Sequence, residues 1–328
     1  MTSVYRSRGL NHEDTQYDLV FTASQGGEQA FSELDNCNVR ICQKQDMASY
    51  LEYSLRATEY DLFTVTSQPW LIDSVEVPDR THVVYEIHSP LEHIVRRELE
   101  ALDTSSVDEI WVPSAWSADL VARILPRRKH VPITVHANEV DATRFNVTGS
   151  RQYPLHGRTG MIPVSWIGRL ENFHKNYIDF MRVVKALPEN YYGIMLLSLQ
   201  NDPAGLSKAI GAAAALGVAE RLDLLWNVSQ QRVGDLHRTV RDAGGVFCST
   251  ALYESFGYGV VEAALCGTPV AAYDVGPLSD HKYRNIQLVP IGDLMGLAQA
   301  ILDCSNPEVA DGANDAVFKI NQVDGVHK

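Results

Sequence analysis

The chain has no Asp-x-Asp anywhere in its 328 residues, no Cys-x-x-Cys pair and no apolar run long enough to cross a bilayer. The first absence removes the paired carboxylates with which a divalent cation could be clamped to a diphosphate. The second, with only five cysteines in all, argues against a disulfide framework and against a zinc site. Cys37, Cys42, Cys248, Cys266 and Cys304 therefore read as core or surface thiols. The third leaves no membrane-spanning helix, and the first twenty residues hold neither a hydrophobic core nor a cleavage pattern. The expectation is a cytoplasmic protein. Low-complexity tracts and short-period repeats are missing too.

Positive charge is in deficit: 28 Lys and Arg stand against 41 Asp and Glu, a net charge of -13. That balance argues against a broad nucleic-acid footprint and leaves room only for a local patch. One such patch is Arg123, Arg127, Arg128 and Lys129, after an amphipathic stretch. It can receive a phosphorylated acceptor or an anionic membrane surface, although a solvated face explains it more simply.

What is present is ordinary for a globular chain of two domains, with 45% hydrophobic and 21% charged residues. Strand-like runs at 17–23, 61–66, 82–87, 108–112 and 131–135 alternate with helical segments. After a polar, Gly-containing stretch from Gly149 to Gly160 the alternation starts again, at 163–167, 192–198, 221–225, 245–248 and 269–273. The pattern predicts two parallel α/β, Rossmann-like halves, residues 1–158 and 159–304, followed by a polar tail at 305–328.

The densest signal runs from Glu254 to Glu262. Gly257 and Gly259 suit a tight turn, and Val260 to Cys266 reads as a buried helix closed by Gly267 and Pro269. Glu254 then lies ahead of the helix and Glu262 on it, too far apart for a shared proton but well placed to hold opposite ends of an elongated ligand. The helix start between them offers backbone N–H groups and a positive dipole end to a diphosphate. An isolated Glu-x7-Glu is better explained as a cap and a solvent-facing side chain. Its surroundings alter that balance: Ser165 to Leu170 reads as a strand entering a turn at Gly168, followed by Arg169 and Lys175-Asn176 before an amphipathic helix. Two cations thus arrive at the carboxyl edge of a parallel strand, where Arg169 can fork phosphate oxygens and Lys175 can add a point charge.

Gly168-Arg169-Leu170 with Lys175-Asn176 and the Glu254-x7-Glu262 segment resembles the retaining GT-B glycosyltransferases of family 4. Leu225 to Ser229, Ala243 to Thr250 and Gly267 to Ala272 extend the likeness. In the first half, Tyr85-Glu86-Ile87-His88 resembles a strand ending in that family's donor-site histidine, and Asn138-Glu139-Val140-Asp141 resembles its Asn-Gly-Val-Asp turn. The likeness covers roughly residues 17 to 304. Departures are Glu139 in place of Gly, and Pro277 with Asp280 where Gly and Glu are common. The family's glycine-rich donor loop has a candidate in Gly26 and Gly27, although a lone Gly-Gly is more often a plain turn. A polar leader of sixteen residues is left over, with an atypical first strand as one reading of it.

The resemblance implies a GT-B fold of two Rossmann-like domains facing a central cleft, with residues 1–158 on the acceptor side, 159–304 binding the nucleotide sugar and the tail at 305–328 packing back toward the first domain. It also implies metal-independent transfer of a hexosyl group from that nucleotide sugar to a hydroxyl acceptor with retention. The nucleotide sugar is a co-substrate, no cofactor is implied, and a UDP-sugar is preferred over a GDP-sugar on frequency. His88 and Glu254 become the catalytic candidates. Gly168, Arg169, Lys175, Glu254, Phe256, Gly257, Tyr258, Val261 and Glu262 become the donor-binding set. A sugar-nucleotide epimerase of similar fold and a non-catalytic GT-B partner subunit are the other readings of the same residues.

Overall fold

A computed structural model of the protein describes residues 2–24, 28–126, 130–155, 158–170, 173–197 and 203–305. Gly26, Gly27, Arg127, Arg128, Lys129 and the tail beyond Ser305 lie outside the described residues. The chain divides into two compact units, 1–141 and 142–328.

The first unit opens with helix α1 (Thr2–Asn11), followed by β1 (Tyr17–Phe21), β2 (Cys37–Ile41), α2 (Met47–Ala57), β3 (Leu62–Thr66) and α3 (Trp70–Ser74). It continues with β4 (His82–Glu86), α4 (Glu92–Ala101), β5 (Glu109–Val112), α5 (Ala115–Ile124) and β6 (Ile133–Val135). Strands β1 and β2 pair in parallel, and β3-β4-β5-β6 form a second parallel sheet in chain order. Val83 to Ile87 are buried almost without interruption, as a parallel strand covered on both faces must be. Ser114 starts α5 by accepting a hydrogen bond from the Ser117 amide. The leader is not a strand: it is α1, whose Arg6 and Arg8 are both buried. Strand β2 is an addition to the expected set.

The second unit contains β7 (Ile162–Gly168), α6 (Tyr177–Ala186), β8 (Tyr191–Leu197), α7 (Pro203–Leu216), β9 (Leu222–Trp226) and α8 (Gln230–Asp242). It ends with β10 (Val246–Ser249), α9 (Tyr258–Leu265), β11 (Val270–Tyr273), β12 (Ile286–Val289) and α10 (Leu294–Cys304). Residues 142 to 150 belong here because the buried Arg238 guanidinium donates to the carbonyls of Arg144, Asn146 and Ser150. All seven residues of β8 are buried, and Gly193 in its middle admits Leu222, Val184 and Phe180, which a Cβ would meet at 2.6 to 3.1 Å. Trp166 packs over Phe180 with ring centroids 6.0 Å apart and is 1% exposed. Truncating such a side chain costs about 3–5 kcal/mol.

The order of this six-stranded parallel sheet is β12-β11-β10-β7-β8-β9. The chain therefore leaves β7 toward one edge and returns to place β10 on the other side of it. That reversal makes the carboxyl ends of β7 and β10 a topological switch point, where the connecting loops part and open a crevice.

Candidate active site

Both sequence motifs end at this switch point. Gly168 closes β7, and Arg169 is the first residue beyond it. A Cβ on Gly168 would lie 2.6 Å from the Trp166 ring and 3.0 Å from the Lys175 Cβ, so the bare backbone lets the Lys175 loop fold back over the strand end. Asn176 makes the sharp turn into α6 with a left-handed backbone, φ 50°. Its amide donates to Asp179 Oδ2 at 2.7 Å, and Tyr273 donates to the same oxygen at 3.0 Å. A short polar residue tolerates that conformation where a larger one would be strained.

On the neighbouring strand, Thr250 follows β10 and is fully buried. Its hydroxyl accepts from Trp166 Nε1 at 3.1 Å and lies 3.1 and 2.9 Å from the Lys175 and Asn176 carbonyls. Two residues on, the Leu252 amide donates to the His174 carbonyl at 2.8 Å. These bonds lace the two loops together and bring Lys175 Nζ to 2.5 Å from Glu254 Oε1. The Lys175 and Glu254 side chains are 25% and 12% exposed, open enough to reach a ligand and sheltered enough for their charges to act strongly. Arg169 is exposed, with Nη2 3.2 Å from His174 Nδ1.

The loop then turns through Gly257, at φ 84°, to start α9. The amides of Val260 and Val261 close onto the Gly257 carbonyl at 2.9 and 3.1 Å. Phe256 and Val261 are buried, so their side chains belong to the core, and the Val261 amide is already committed to Gly257. Phe256 is held edge-on by His281 and Tyr258, while His281 Nε2 lies 2.6 Å from the Phe256 carbonyl. Glu262, on the second turn of α9, is 8% exposed and does not face water. Behind it the Cys266 thiol is pushed up to about 12, by burial first and further by the Glu262 charge, against the opposing pull of Arg238. It stays protonated and is no nucleophile.

Three positions important to this geometry were not among the site candidates. Thr250 is the first residue past a buried strand, a position whose polar type is itself a signal. Asn176 stands out in the sequence only as the neighbour of Lys175. Gly276, at φ 56°, passes so close under the Glu254 carbonyl that a Cβ would stand 2.0 Å from it, and its place just before Pro277 marks a tight turn.

His88 lies in the first unit, two residues beyond the end of β4. Its side chain is 14% exposed, and Nε2 is 3.3 Å from Glu86 Oε2. Burial works against ionisation of Glu86, but the His88 hydrogen bond and the Arg8 charge prevail and hold its carboxyl at about 2. Arg123 is exposed on α5. Among the described residues no group of three or more His, Cys, Asp or Glu is arranged to hold a metal, and no helix is long and apolar enough to cross a membrane.

Residues 164–300 match the Glycosyl transferases group 1 family. The matched segment runs from within β7 into α10 and contains the whole of the laced-loop site. Among individual proteins, the chain is 26% identical over 197 residues to the 2-deoxystreptamine N-acetyl-D-glucosaminyltransferase of Streptomyces fradiae, covering 57% of this chain and 44% of that protein. It is 27% identical over 153 residues to the D-inositol 3-phosphate glycosyltransferase of Rhodococcus erythropolis, covering 44% of this chain and 34% of that one. It thus spans less than half the length of either relative. In fold it resembles Anabaena HepE, crystallised with UDP and glucose, with a TM-score of 0.78, 16% identity and coverage of 97% and 91% of the two chains. Sucrose-phosphate synthase from Thermosynechococcus elongatus follows at 0.71 and 15% identity, covering 96% and 87%. The α/β fold of the GT-B glycosyltransferases is thereby established for this chain.

Proposed function

We propose that the protein is a retaining glycosyltransferase that moves a hexosyl group from a nucleoside-diphosphate sugar to a hydroxyl acceptor without a metal ion. The observation that carries this reading is the contact between Lys175 and Glu254 at the β7/β10 switch point. It sets a cation for a diphosphate beside a carboxylate for sugar hydroxyls. An ammonium has three donors, so Lys175 can keep Glu254 and still bind a phosphate oxygen. Arg169 adds a fork for the same group, and the start of α9 adds backbone amides and a partial positive charge. Together they stabilise the charge that develops as the bond from the anomeric carbon to the diphosphate oxygen breaks. The acceptor oxygen forms its bond to that carbon on the same face, and its proton passes to the departing diphosphate. Glu254 grips sugar hydroxyls, Glu262 the ribose, and His88 supplies a hydrogen bond to the sugar.

The named relatives transfer sugars, and HepE was crystallised with UDP and glucose, which favours a UDP-sugar as donor. A thermal-shift screen of UDP, GDP, ADP and their sugars tests the assignment. UDP and a UDP-sugar are expected to raise the unfolding temperature, because a ligand bound only by the folded chain stabilises it. No shift with any nucleotide would remove the proposal.

A further inference from the structure

The first helix is not a loose leader. Asn36 donates to the carbonyls of Gly9, His12 and Thr15 at 3.0, 3.1 and 3.0 Å, tying its end to the turn before β2. A Cβ on Gly9 would stand 2.6 Å from the Cys37 sulfur, so the helix is packed backbone-close there. Arg6 donates to the Ala30 carbonyl and reaches Glu33 at 3.3 Å. On its other side Tyr5 reaches Thr66 and Glu86, and Arg8 reaches Glu86, Trp111 and His136, so both side chains enter one polar cluster at the carboxyl ends of β3 to β6.

That cluster is built around Glu86, which has no exposed surface. Arg8 Nη1 is 2.6 Å from Oε1. Oε2 accepts from the Tyr5 hydroxyl at 2.7 Å and from Thr66 Oγ1 at 3.2 Å, and it is the atom 3.3 Å from His88 Nε2. With Arg8 paired to it the carboxylate is ionised and can only accept, so the proton of that last bond sits on the imidazole. Nδ1 of His88 has no partner among the described residues. Arg8 fixes a second ring in the same way: its Nη2 is 3.2 Å from His136 Nδ1, which must then be the acceptor, while the His136 ring stacks on Trp111 at 4.2 Å.

We propose that α1 is a positioning element for His88: Arg8 and Tyr5 hold the Glu86 carboxylate, and Glu86 holds the imidazole with its proton on Nε2 and the Nδ1 lone pair available to a ligand hydroxyl. The inference deepens the reading of His88 as a contact of the donor sugar and rests on it for the identity of that ligand. A neutral ring that offers only a lone pair selects a group with a proton to give, so the sugar carries a free hydroxyl at the contacted position. A deoxy sugar at that position leaves the lone pair unmatched. Arg8, Tyr5 and Glu86 touch no substrate in this scheme; they act through His88.

The test is nitrogen NMR of the full chain with labelled histidine, His88 being assigned by its loss in His88→Gln. With the rings neutral, His88 is expected as the Nε2–H tautomer in at least about tenfold excess because its ring is bonded to a carboxylate, and His136 as the Nε2–H tautomer because its Nδ1 accepts from Arg8. The double variant Arg8→Met/Glu86→Leu removes both buried charges together, so it leaves neither unpaired, and it leaves no acceptor at position 86 for the Nε2 proton. In it His88 is expected to relax to comparable amounts of both tautomers. An Nδ1–H majority in the unaltered protein overturns the proposal, as does an unchanged Nε2–H excess in the double variant. The measurement on the unaltered protein decides the first point even if the variant fails to fold. Because no nucleotide sugar is needed, failure here leaves the donor site untouched, and failure to bind UDP leaves the Glu86–His88 arrangement untouched.

Discussion

Lys175 Nζ stands 2.5 Å from Glu254 Oε1, although 79 positions separate the two residues. The contact exists because β7 and β10 are neighbours in the sheet while their chains leave in opposite directions. A cation from one loop and a carboxylate from the next therefore meet over the same crevice, which turns two unremarkable surface residues into a site.

Separate roles for the two glutamates lead to separate kinetic signatures. Glu262→Ala is expected to weaken donor binding by roughly 10- to 100-fold, the worth of a charge-assisted hydrogen bond. Glu254→Ala should mainly lower turnover, by a similar factor, with the smaller change in donor affinity. Calorimetric affinity and kcat, measured on both variants, check the division; near-unaltered values in both would remove the assignment.

Thr250→Val keeps the shape of a fully buried side chain but deletes its hydroxyl. The Trp166 N–H and the Lys175 and Asn176 carbonyls lose their shared partner. A stability loss of about 1–3 kcal/mol is expected in urea unfolding, together with lower donor affinity as Lys175 loses its fixed position. Full stability in the variant would show that the loops are not held in this way.

His237 gives the second unit a dependence on acid. The ring is fully buried beside Phe247, and burial, aided by Arg238, lowers it from the ordinary histidine value of 6.5 to about 3. Above pH about 6.5 the unfolded and folded chains both hold it neutral, and the stability from burying a neutral ring is fully present. As pH falls from about 6.5 toward about 3 the unfolded chain takes up a proton that the folded chain refuses, so stability is lost by up to about 1.4 kcal/mol per pH unit. His237→Leu should flatten that slope, read as the denaturant midpoint at successive pH values. An unchanged slope would locate the acid sensitivity elsewhere. Glu86 acts in a lower window, its contribution being lost as pH falls from about 4.5 toward about 2.

Much of this could be read from the chain because its signals are local. The apolar runs mark the buried parallel strands, and Gly168-Arg169 and Glu254-x7-Glu262 already sit at strand ends and a helix start. The edge strands β2 and β12 escaped because Cys37 to Ile41 and Ile286 to Val289 are only partly buried and carry polar residues between apolar ones. Helix α1 escaped for a different reason. Val4 is its one buried aliphatic side chain beside the buried Arg6 and Arg8, and an ion pair such as Arg8–Glu86 leaves no periodic hydrophobic trace. The role of Thr250 depends on which strand lies next to β10, and strand order is a long-range property that no single segment records.

The account stands on a diphosphate being held between Lys175, Arg169 and the start of α9. Titration of UDP into the full chain by calorimetry, repeated with Lys175→Met, measures this directly. We expect saturable binding of UDP and a loss of affinity of about tenfold or more in the variant, the worth of one charged contact to phosphate. Equal affinity in the two proteins, or no heat from UDP, GDP or ADP, would contradict it.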